Sequence, residues 1–406
     1  MNRFFKIILI GFSIVLLAWI LPDTYHFITT KKVRYPFIVY SPLLQDFLIQ
    51  DSKDKNIFYN DTKGNQYTSQ QTDSLVPTLY YRQLLTDNRL PDTLMGVEVD
   101  QQLIRRTNFF FRHSPRDINT KKVKLYPLLE SRPKRIELSM PDDIVRFTDS
   151  EIQFVDMESN SINRKKSALF QKVFDQKGVQ LPIKAIGGDP NAKKDYDEGY
   201  FFTDSQNQLF HLKKMVGQPY LKKITLDPSL KIDQIFITEF PNRSSFAFIT
   251  DVNHNFYMLT APSYQLVKTA IPSFNPKEDA ILIMGNMFDW NVKINNQHSI
   301  TNYALSTKDF SLIQTLSTPL QTTKWEEATE YIFPFELKFG SPLNKYFTPY
   351  IINLSVLALF LNLFLMFVFV VLKRKKMTSV AIIVSSLCIV VGGLFSFIPL
   401  LIYSKL

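Results

Sequence analysis

The chain has 406 residues, a formal net charge of +10 and a hydrophobic content of 45%, which is typical of a folded protein with two or three domains and excludes a disordered one. Seven of its basic residues lie in terminal segments that contain no acidic residue: Arg3, Lys6, Lys373, Arg374, Lys375, Lys376 and Lys405. Ten less seven leaves +3 for the region between Pro22 and Thr348, so the charge indicates membrane boundaries and not a nucleic-acid partner. The single cysteine, Cys388, excludes an intramolecular disulfide and a thiolate metal site.

The N-terminus is predicted to be a transmembrane anchor over residues 1–22. Residues 7–21 are apolar or small and follow the basic Arg3 and Lys6. Bulky residues such as Trp19 stand where a signal peptidase requires small ones, which favours an uncleaved anchor. A cleaved signal peptide is the alternative.

Residues 23–135 are predicted to form a mixed α/β segment. Ser41 before Pro42 is a typical helix start, so a short helix is expected over residues 43–49. A second helix is expected over residues 78–87, where leucine and tyrosine recur at helical spacing.

Residues 136–323 are predicted to form a β-repeat domain with one helix, over residues 167–176. An aromatic residue, Thr-Asp and a polar turn recur in residues 201–212 and 248–259, and Asp204 and Asp251 lie 47 positions apart. Looser copies of this hairpin occupy residues 58–67 and 147–154. The spacing is close to one four-stranded blade and favours a propeller-like repeat; a β-sandwich or another mixed β architecture is the alternative.

The C-terminal part is predicted to return to the membrane. An aromatic juxtamembrane segment, 324–348, precedes a helical hairpin over residues 349–406, with apolar runs at 350–372 and 380–402. The basic loop 373–376 between them belongs on the cytoplasmic side. Three transmembrane helices in a bacterial inner membrane follow, with the N-terminus cytoplasmic and both residues 23–348 and the C-terminus periplasmic.

Two groups of residues are candidates for binding. The basic stretch of the exterior could dock an anionic partner, although a buried strand with solvated flanks is the alternative; it contains Arg105, Arg106, Arg112, Arg116, Lys121, Lys122, Lys124, Arg132, Lys134 and Arg135. Small or hydrogen-bonding residues of the C-terminal hairpin suit helix packing, between the two spans or with another membrane subunit; they are Asn353, Asn362, Gly392, Gly393 and Ser396.

No residue is predicted to be catalytic or to bind a cofactor or metal. Asp251, Asn253 and Asn255 resemble the start of a calcium loop, but Phe256 and Pro262 stand where that loop needs glycine and glutamate. A turn capped by its own side chains explains them. Adjacent carboxylates at 142–143 and 326–327 are weak candidates for acid–base catalysis, and Thr323 with Glu326 makes an equally good capping box.

The segments Tyr80-Tyr81-Arg82-Gln83-Leu84, Leu90-Pro91-Asp92 and Met140-Pro141-Asp142-Asp143 resemble an uncharacterised Bacteroidota family of membrane-anchored extracytoplasmic proteins, encoded beside ABC-transporter components. The resemblance implies an envelope location and a transporter-linked partner, without an activity.

These observations favour a non-catalytic accessory or sensor subunit of an inner-membrane complex, with the lipid bilayer and membrane subunits as partners. An envelope hydrolase acting on glycans is the alternative, and a stand-alone ligand-binding receptor is the third hypothesis.

Overall fold

A computed structural model describes residues 3–29, 35–53, 56–135, 137–321 and 323–403. The chain divides into two compact units, one made of its two ends, Met1–Tyr35 and Leu320–Leu406, and the other of Pro36–Pro319. It begins with α1 (Arg3–Thr29), and the larger unit follows. This division differs from the predicted one, because residues on both sides of position 135 belong to the larger unit.

Five antiparallel sheets, here named A to E, make up most of the larger unit. Sheet A contains β1 (Ile38–Ser41), β2 (Asp46–Lys53), β3 (Asn56–Asn60) and β4 (Gln66–Thr68). An insertion over residues 69–142 then contributes α2 (Ser69–Leu75), α3 (Pro77–Thr86), β5 (Thr93–Leu94), β6 (Val97–Glu98), α4 (Gln101–Thr107), β7 (Phe109–His113) and α5 (Arg116–Asn119).

The remaining sheets follow one another along the chain. Sheet B contains β8 (Asp143–Phe147), β9 (Ile152–Asp156) and β10 (Ser161–Ile162), and α6 (Arg164–Lys177) follows it. Sheet C contains β11 (Ile186–Gly188), β12 (Tyr200–Thr203), β13 (Leu209–Met215) and β14 (Gln218–Ile224). Sheet D contains β15 (Ile232–Ile237), β16 (Ser245–Asp251), β17 (Phe256–Thr260) and β18 (Leu266–Lys268). Sheet E contains β19 (Ala280–Gly285), β20 (Asp289–Asn295), β21 (Ser299–Ser306) and β22 (Leu312–Pro319), with β7 paired to β19.

The sheets pack against one another in the order B, C, D, E, A. Buried clusters join B to C, C to D, D to E and E to A, as in the pairs Phe147–Phe202, Phe201–Phe246, Phe248–Trp290 and Ala304–Tyr40. Within the described ranges no such cluster joins A to B. Because the last sheet meets the first and strands such as β16 are buried along their whole length, the arrangement is propeller-like. The prediction of a mostly β, propeller-like fold is confirmed.

The repeated hairpin is present in all four predicted places, as β3–β4, β8–β9, β12–β13 and β16–β17. Asp251 Oδ1 accepts from the backbone N–H groups of Asn253 and Asn255 at 2.9 and 2.8 Å, and its Oδ2 accepts from Asn255 Nδ2 and the Tyr257 hydroxyl at 2.8 and 3.0 Å. Asp61 makes the same four bonds in its own hairpin, to Lys63, Asn65 and Tyr67. Because both hairpins make the same four bonds, these polar residues are explained as turn formers.

The helix predictions succeed at 78–87 and 167–176, which correspond to α3 and α6. The helix predicted over residues 43–49 is wrong. Ser41 Oγ accepts from Leu44 N–H at 3.2 Å, but this closes only a turn before β2. Pairing of β2 with both β1 and β3 takes up its backbone groups instead, so tertiary context overrides the local signal.

The smaller unit continues with α7 (Lys324–Ile332), β23 (Glu336–Phe339), β24 (Pro349–Ile352), α8 (Ala358–Lys373) and α9 (Ser379–Tyr403). Two helices of the described residues are long and apolar enough to cross a membrane, Phe4–Thr29 and Ser379–Tyr403. The predicted span over residues 350–372 is wrong, because β24 pairs with β23 and the helix starts only at Ala358. Its 16 residues rise about 24 Å, less than the hydrocarbon core of about 30 Å.

The helix α9 is broken at Gly393, whose φ of 53° and ψ of −132° are not helical. Asn362 of α8 donates from Nδ2 to the Val390 oxygen at 2.9 Å and also lies beside Gly393. Farther along α8, Lys373 reaches the oxygen of Leu401. Residues 394–403 therefore run back beside α8, and residue 401 lies at the same end of the bundle as Lys373. This differs from the predicted topology, in which a straight last span carries the C-terminus to the opposite side.

Candidate ligand-binding site

Asn291 of β20 connects sheets A and E. Its Oδ1 accepts from the backbone N–H of Tyr40 on β1, and its Nδ2 donates to Asp289 Oδ1 at 2.6 Å. Residues 289 and 291 share one face of β20, because side chains alternate along a strand. The backbone donor of Tyr40 fixes the orientation of the Asn291 amide, and that amide fixes which oxygen of Asp289 is paired.

A second link runs from Asp46, the first residue of β2, to Gln314 of β22. Gln314 Nε2 donates to Asp46 Oδ1 at 2.8 Å, and the Thr62 hydroxyl donates to Asp46 Oδ2 at 2.6 Å. Burial opposes ionisation here, but the hydrogen bonds from Thr62, Gln314 and Phe47 prevail and lower the pKa of Asp46. Because an ionised carboxylate only accepts hydrogen bonds, the NH₂ group of Gln314 faces Asp46 and its Oε1 faces elsewhere.

A cavity of about 780 Å³ lies between these two links and the insertion. Its apolar lining comes from the β5–β6 hairpin, α4, the β19–β20 turn and β22, and consists of Met95, Val97, Leu103, Met287, Phe288 and Ile313. Its polar lining comes from sheets A and E and includes Tyr40, Gln45, Asp289, Thr307, Lys308 and Gln314. This volume and mixed lining are typical of pockets for small organic molecules.

Two buried acceptor atoms of this lining have no hydrogen-bond partner among the described residues. They are Asp289 Oδ2 and Gln314 Oε1. Asp289 is only 1% exposed, and this burial raises its pKa to about 7. An unsatisfied buried acceptor is costly, so these two atoms are the positions in the lining residues where a hydrogen-bond donor would be most stabilising.

The turn that displays the apolar part of the lining is built by local polar groups. Asn286 Oδ1 accepts from the N–H groups of Phe288 and Asp289 at 2.7 and 3.1 Å. The hydroxyl of Thr307 donates to the oxygens of Met287 and Phe288, both at 3.0 Å. These bonds fix the backbone of the turn, so that the apolar side chains of Met287 and Phe288 line the cavity.

The predicted basic residues lie elsewhere. All ten side chains are exposed: Arg105, Arg106, Arg112, Arg116, Lys121, Lys122, Lys124, Arg132, Lys134 and Arg135. The structure does not gather them on one sheet, because β7 pairs with sheet E whereas Glu130 and Ser131 contact Lys214 of sheet C. Their binding of an anionic partner stays a prediction.

Four of the five predicted helix-packing residues, Asn362, Gly392, Gly393 and Ser396, lie on α8 and α9. A Cβ on Gly392 would meet Ser396 Oγ at 2.2 Å. Asn353 instead precedes α8 and donates to the buried Glu336 at 2.9 Å. Whether any of them also contacts another subunit stays a prediction.

The carboxylates weighed for catalysis have structural partners. Asp143 pairs with Lys166 at 2.5 Å. Thr323 and Glu326 form the capping box of α7, as the sequence indicated.

The sequence did not identify the cavity, because its residues come from positions 40, 46, 289 and 314. One signal was present. Asp289 and Asn291 alternate with Trp290 and Val292 within an apolar strand, and a carboxylate on a buried strand face calls for a functional explanation.

The fold and the site define a protein with a propeller-like domain, a cavity of about 780 Å³ and apolar terminal helices. The chain belongs to the DUF4857 family, a domain of unknown function, whose model matches residues 37–305. No curated protein sequence matches the chain.

Solved structures share only low similarity with the chain. They include Kuenenia stuttgartiensis hydrazine synthase (10% identity, 50% of this chain and 52% of that chain, TM-score 0.25) and the Dos1 propeller (12%, 69% and 60%, 0.26). A third is PorZ, a surface component of the type-IX secretion system of Porphyromonas gingivalis (9%, 72% and 33%, 0.23). The chain spans less than two thirds of each of these structures, and similarity at this level does not bear on function.

Proposed function

We propose that this protein is a non-catalytic sensor or accessory subunit of a bacterial inner-membrane complex, whose propeller-like domain binds a small ligand outside the cytoplasm. The observation that carries the proposal is the cavity between the first and last sheets, with its unpaired acceptors Asp289 Oδ2 and Gln314 Oε1. A ligand that bridges these sheets would strengthen their contact, and its binding energy would then stabilise the folded domain.

The location follows from charge. Basic residues lie in the first two turns of α1, at Arg3 and Lys6, and at positions 373–376, and such residues favour the cytoplasmic side. α1 then leads out of the cytoplasm, and the larger unit that follows it is extracytoplasmic. α8 returns the chain to the basic loop, and because it is shorter than the hydrocarbon core it does so where the bilayer thins locally. The resemblance to proteins encoded beside ABC-transporter components favours a transporter as the complex.

Ligand binding is tested on the full chain in a mild detergent, with native mass spectrometry of small molecules that remain bound. Ile313→Trp should fill the cavity and abolish the bound mass. Leu312→Trp is the matched control, because Leu312 and Ile313 are each 47% exposed on adjacent positions of β22 and only Ile313 lines the cavity. Equal retention by both variants would overturn the proposed site.

The subunit role is tested by isolating the tagged chain from its native membrane under the same mild conditions. Membrane subunits should co-purify with both the wild type and Ile313→Trp. Recovery of the chain without any other membrane protein would contradict the accessory role and leave ligand binding to stand alone.

A further inference from the structure

We propose that the ligand is a neutral amphiphile, with a hydroxyl group that donates to Asp289 Oδ2 or to Gln314 Oε1 and an apolar body that packs on Met287, Phe288 and Ile313. This inference rests on the proposed function and adds the chemical class of the ligand.

The need for a donor follows from the hydrogen bonds around the cavity. The Tyr40 N–H donates to Asn291 Oδ1 and so orients the amide of Asn291. The Nδ2 of that amide donates to Asp289 Oδ1, which leaves Asp289 Oδ2 as the unpaired oxygen. On the other side Asp46 holds the NH₂ group of Gln314, which leaves Oε1 unpaired. Gln314 Oε1 is therefore an acceptor at any pH, and Asp289 Oδ2 is an acceptor where the carboxylate is ionised, above about pH 7. In that state a ligand satisfies either position only by donating.

A hydroxyl fits these acceptors better than a charged group does. A carboxylate has no hydrogen to donate, and its negative charge would be repelled by the two acceptor oxygens. An ammonium can donate and would be attracted by an ionised Asp289, but it must lose its hydration to reach this buried carboxylate. Lys308, which is exposed at the edge of the same cavity, adds a repulsion. A hydroxyl donates to either acceptor without a charge that must lose its hydration.

The remaining lining calls for an apolar body. Six apolar side chains besides Pro42 line the cavity, and three of them, Val97, Leu103 and Ile313, lie on regular strands or a helix, which fixes their backbones. Met95 and Met287 are flexible, polarisable side chains that adapt to an irregular apolar surface. An alkyl chain or ring of several carbons would cover this lining, whereas a free sugar or polyol would not.

The test uses photoreactive probes on the full chain in lipid nanodiscs. All probes share one alkyl chain with a diazirine and end in an alcohol, the methyl ether of that alcohol, an amine or a carboxylate. Labelled positions are located by peptide mass spectrometry, so uptake of probe by the lipid does not obscure the result. The alcohol should label the lining peptides about five- to tenfold more than its methyl ether, which is the effect of one hydrogen bond to a buried acceptor.

Asp289→Asn provides the decisive variant, with the labelling done at about pH 9, where Asp289 is ionised. Asn291 Nδ2 would hold the oxygen of the new amide, so the amide nitrogen would replace Oδ2 and turn an acceptor into a donor of the same shape. The preference for the alcohol over the ether should then fall to about one or invert. Asp149→Asn, on an exposed hairpin of sheet B, is the control and should keep the wild-type preference.

The outcomes separate the two proposals. If no probe labels the lining more in the wild type than in Ile313→Trp, the ligand-binding function itself fails. If the lining is labelled but alcohol and ether are equal, or the carboxylate or amine is strongest, ligand binding stands and the hydroxyl head group is wrong.

Discussion

The ammonium of Lys373, at the end of α8, donates to the main-chain oxygen of Leu401 at 3.1 Å. In a straight helix Leu401 would lie about 33 Å from the start of α9, because each residue rises about 1.5 Å. The start of α9 follows Lys373 by only six positions. The contact therefore requires α9 to fold back, and the break at Gly393 supplies the turn.

We expect reporters fused after Lys376 and at the C-terminus to lie on the same side of the membrane, with both giving a cytoplasmic signal. The measurement is a paired phosphatase and fluorescent-protein fusion at each site. Opposite sides for the two fusions would show that α9 crosses as one straight span.

Gly393→Ala should destabilise the smaller unit by about 1–3 kcal/mol, the typical cost of forcing a residue with a side chain into a sparsely populated backbone region. A Cβ at this position would also lie 2.3 Å from Asn362 Oδ1. Thermal unfolding of the detergent-solubilised chain measures the loss. Gly11→Ala is the control, because a Cβ there meets nothing within 4 Å, and an equal loss in both variants would contradict the prediction.

Asp251→Ala should destabilise the larger unit by about 2–4 kcal/mol, because it removes a buried carboxylate that accepts four hydrogen bonds. Burial opposes ionisation of this group, yet the bonds from Asn255, Tyr257 and Asn253 lower its pKa. Its contribution is therefore present above its unfolded pKa and is lost as the pH falls through the folded value. Denaturant unfolding measures both effects.

The control for Asp251→Ala is Asp149→Ala, in the equivalent hairpin of sheet B. There the hydroxyl of Thr148 accepts from the Glu151 N–H at 2.9 Å and replaces the aspartate as turn former, and Asp149 is exposed. A change within about 0.5 kcal/mol is expected. A large loss at position 149 would mean that the hairpins depend on something other than the turn bonds.

Asp289 should make the larger unit less stable as the pH rises. Its pKa is raised from 3.8 to about 7 by burial, so the folded state binds the proton more tightly than the unfolded state does. The resulting stability is complete below about pH 4 and is lost as the pH rises through about 7, up to about 4 kcal/mol.

Asp289→Asn removes this titration, so its unfolding free energy should fall less than that of the wild type between pH 4 and pH 8. Denaturant unfolding at several pH values measures the difference, with Asp149→Asn as the control that keeps the wild-type slope. Parallel curves for wild type and Asp289→Asn would contradict a buried, protonatable Asp289.

Local sequence patterns predicted the structure correctly where the interactions that determine it join residues close together in the chain. The hairpins follow from an aspartate that binds its own turn, as at Asp251, and α6 ends where Gly178 adopts a φ of 71°. The helix expected after Ser41 failed because the same residues pair with neighbouring strands. The span expected from residue 350 failed because composition does not reveal that residues 349–352 pair with β23.

The amino-acid sequence by itself determined the apolar ends, the β-rich middle and the turn chemistry of its repeat, because each depends on residues close together in the chain. Only the tertiary structure decided that α9 reverses at Gly393, since that is visible only when Lys373 meets Leu401. It alone brought Tyr40 and Asp46 of the first sheet to Asp289 and Gln314 of the last. The cavity forms where the first and last sheets of the propeller-like domain come into contact, and no local sequence pattern predicts that contact.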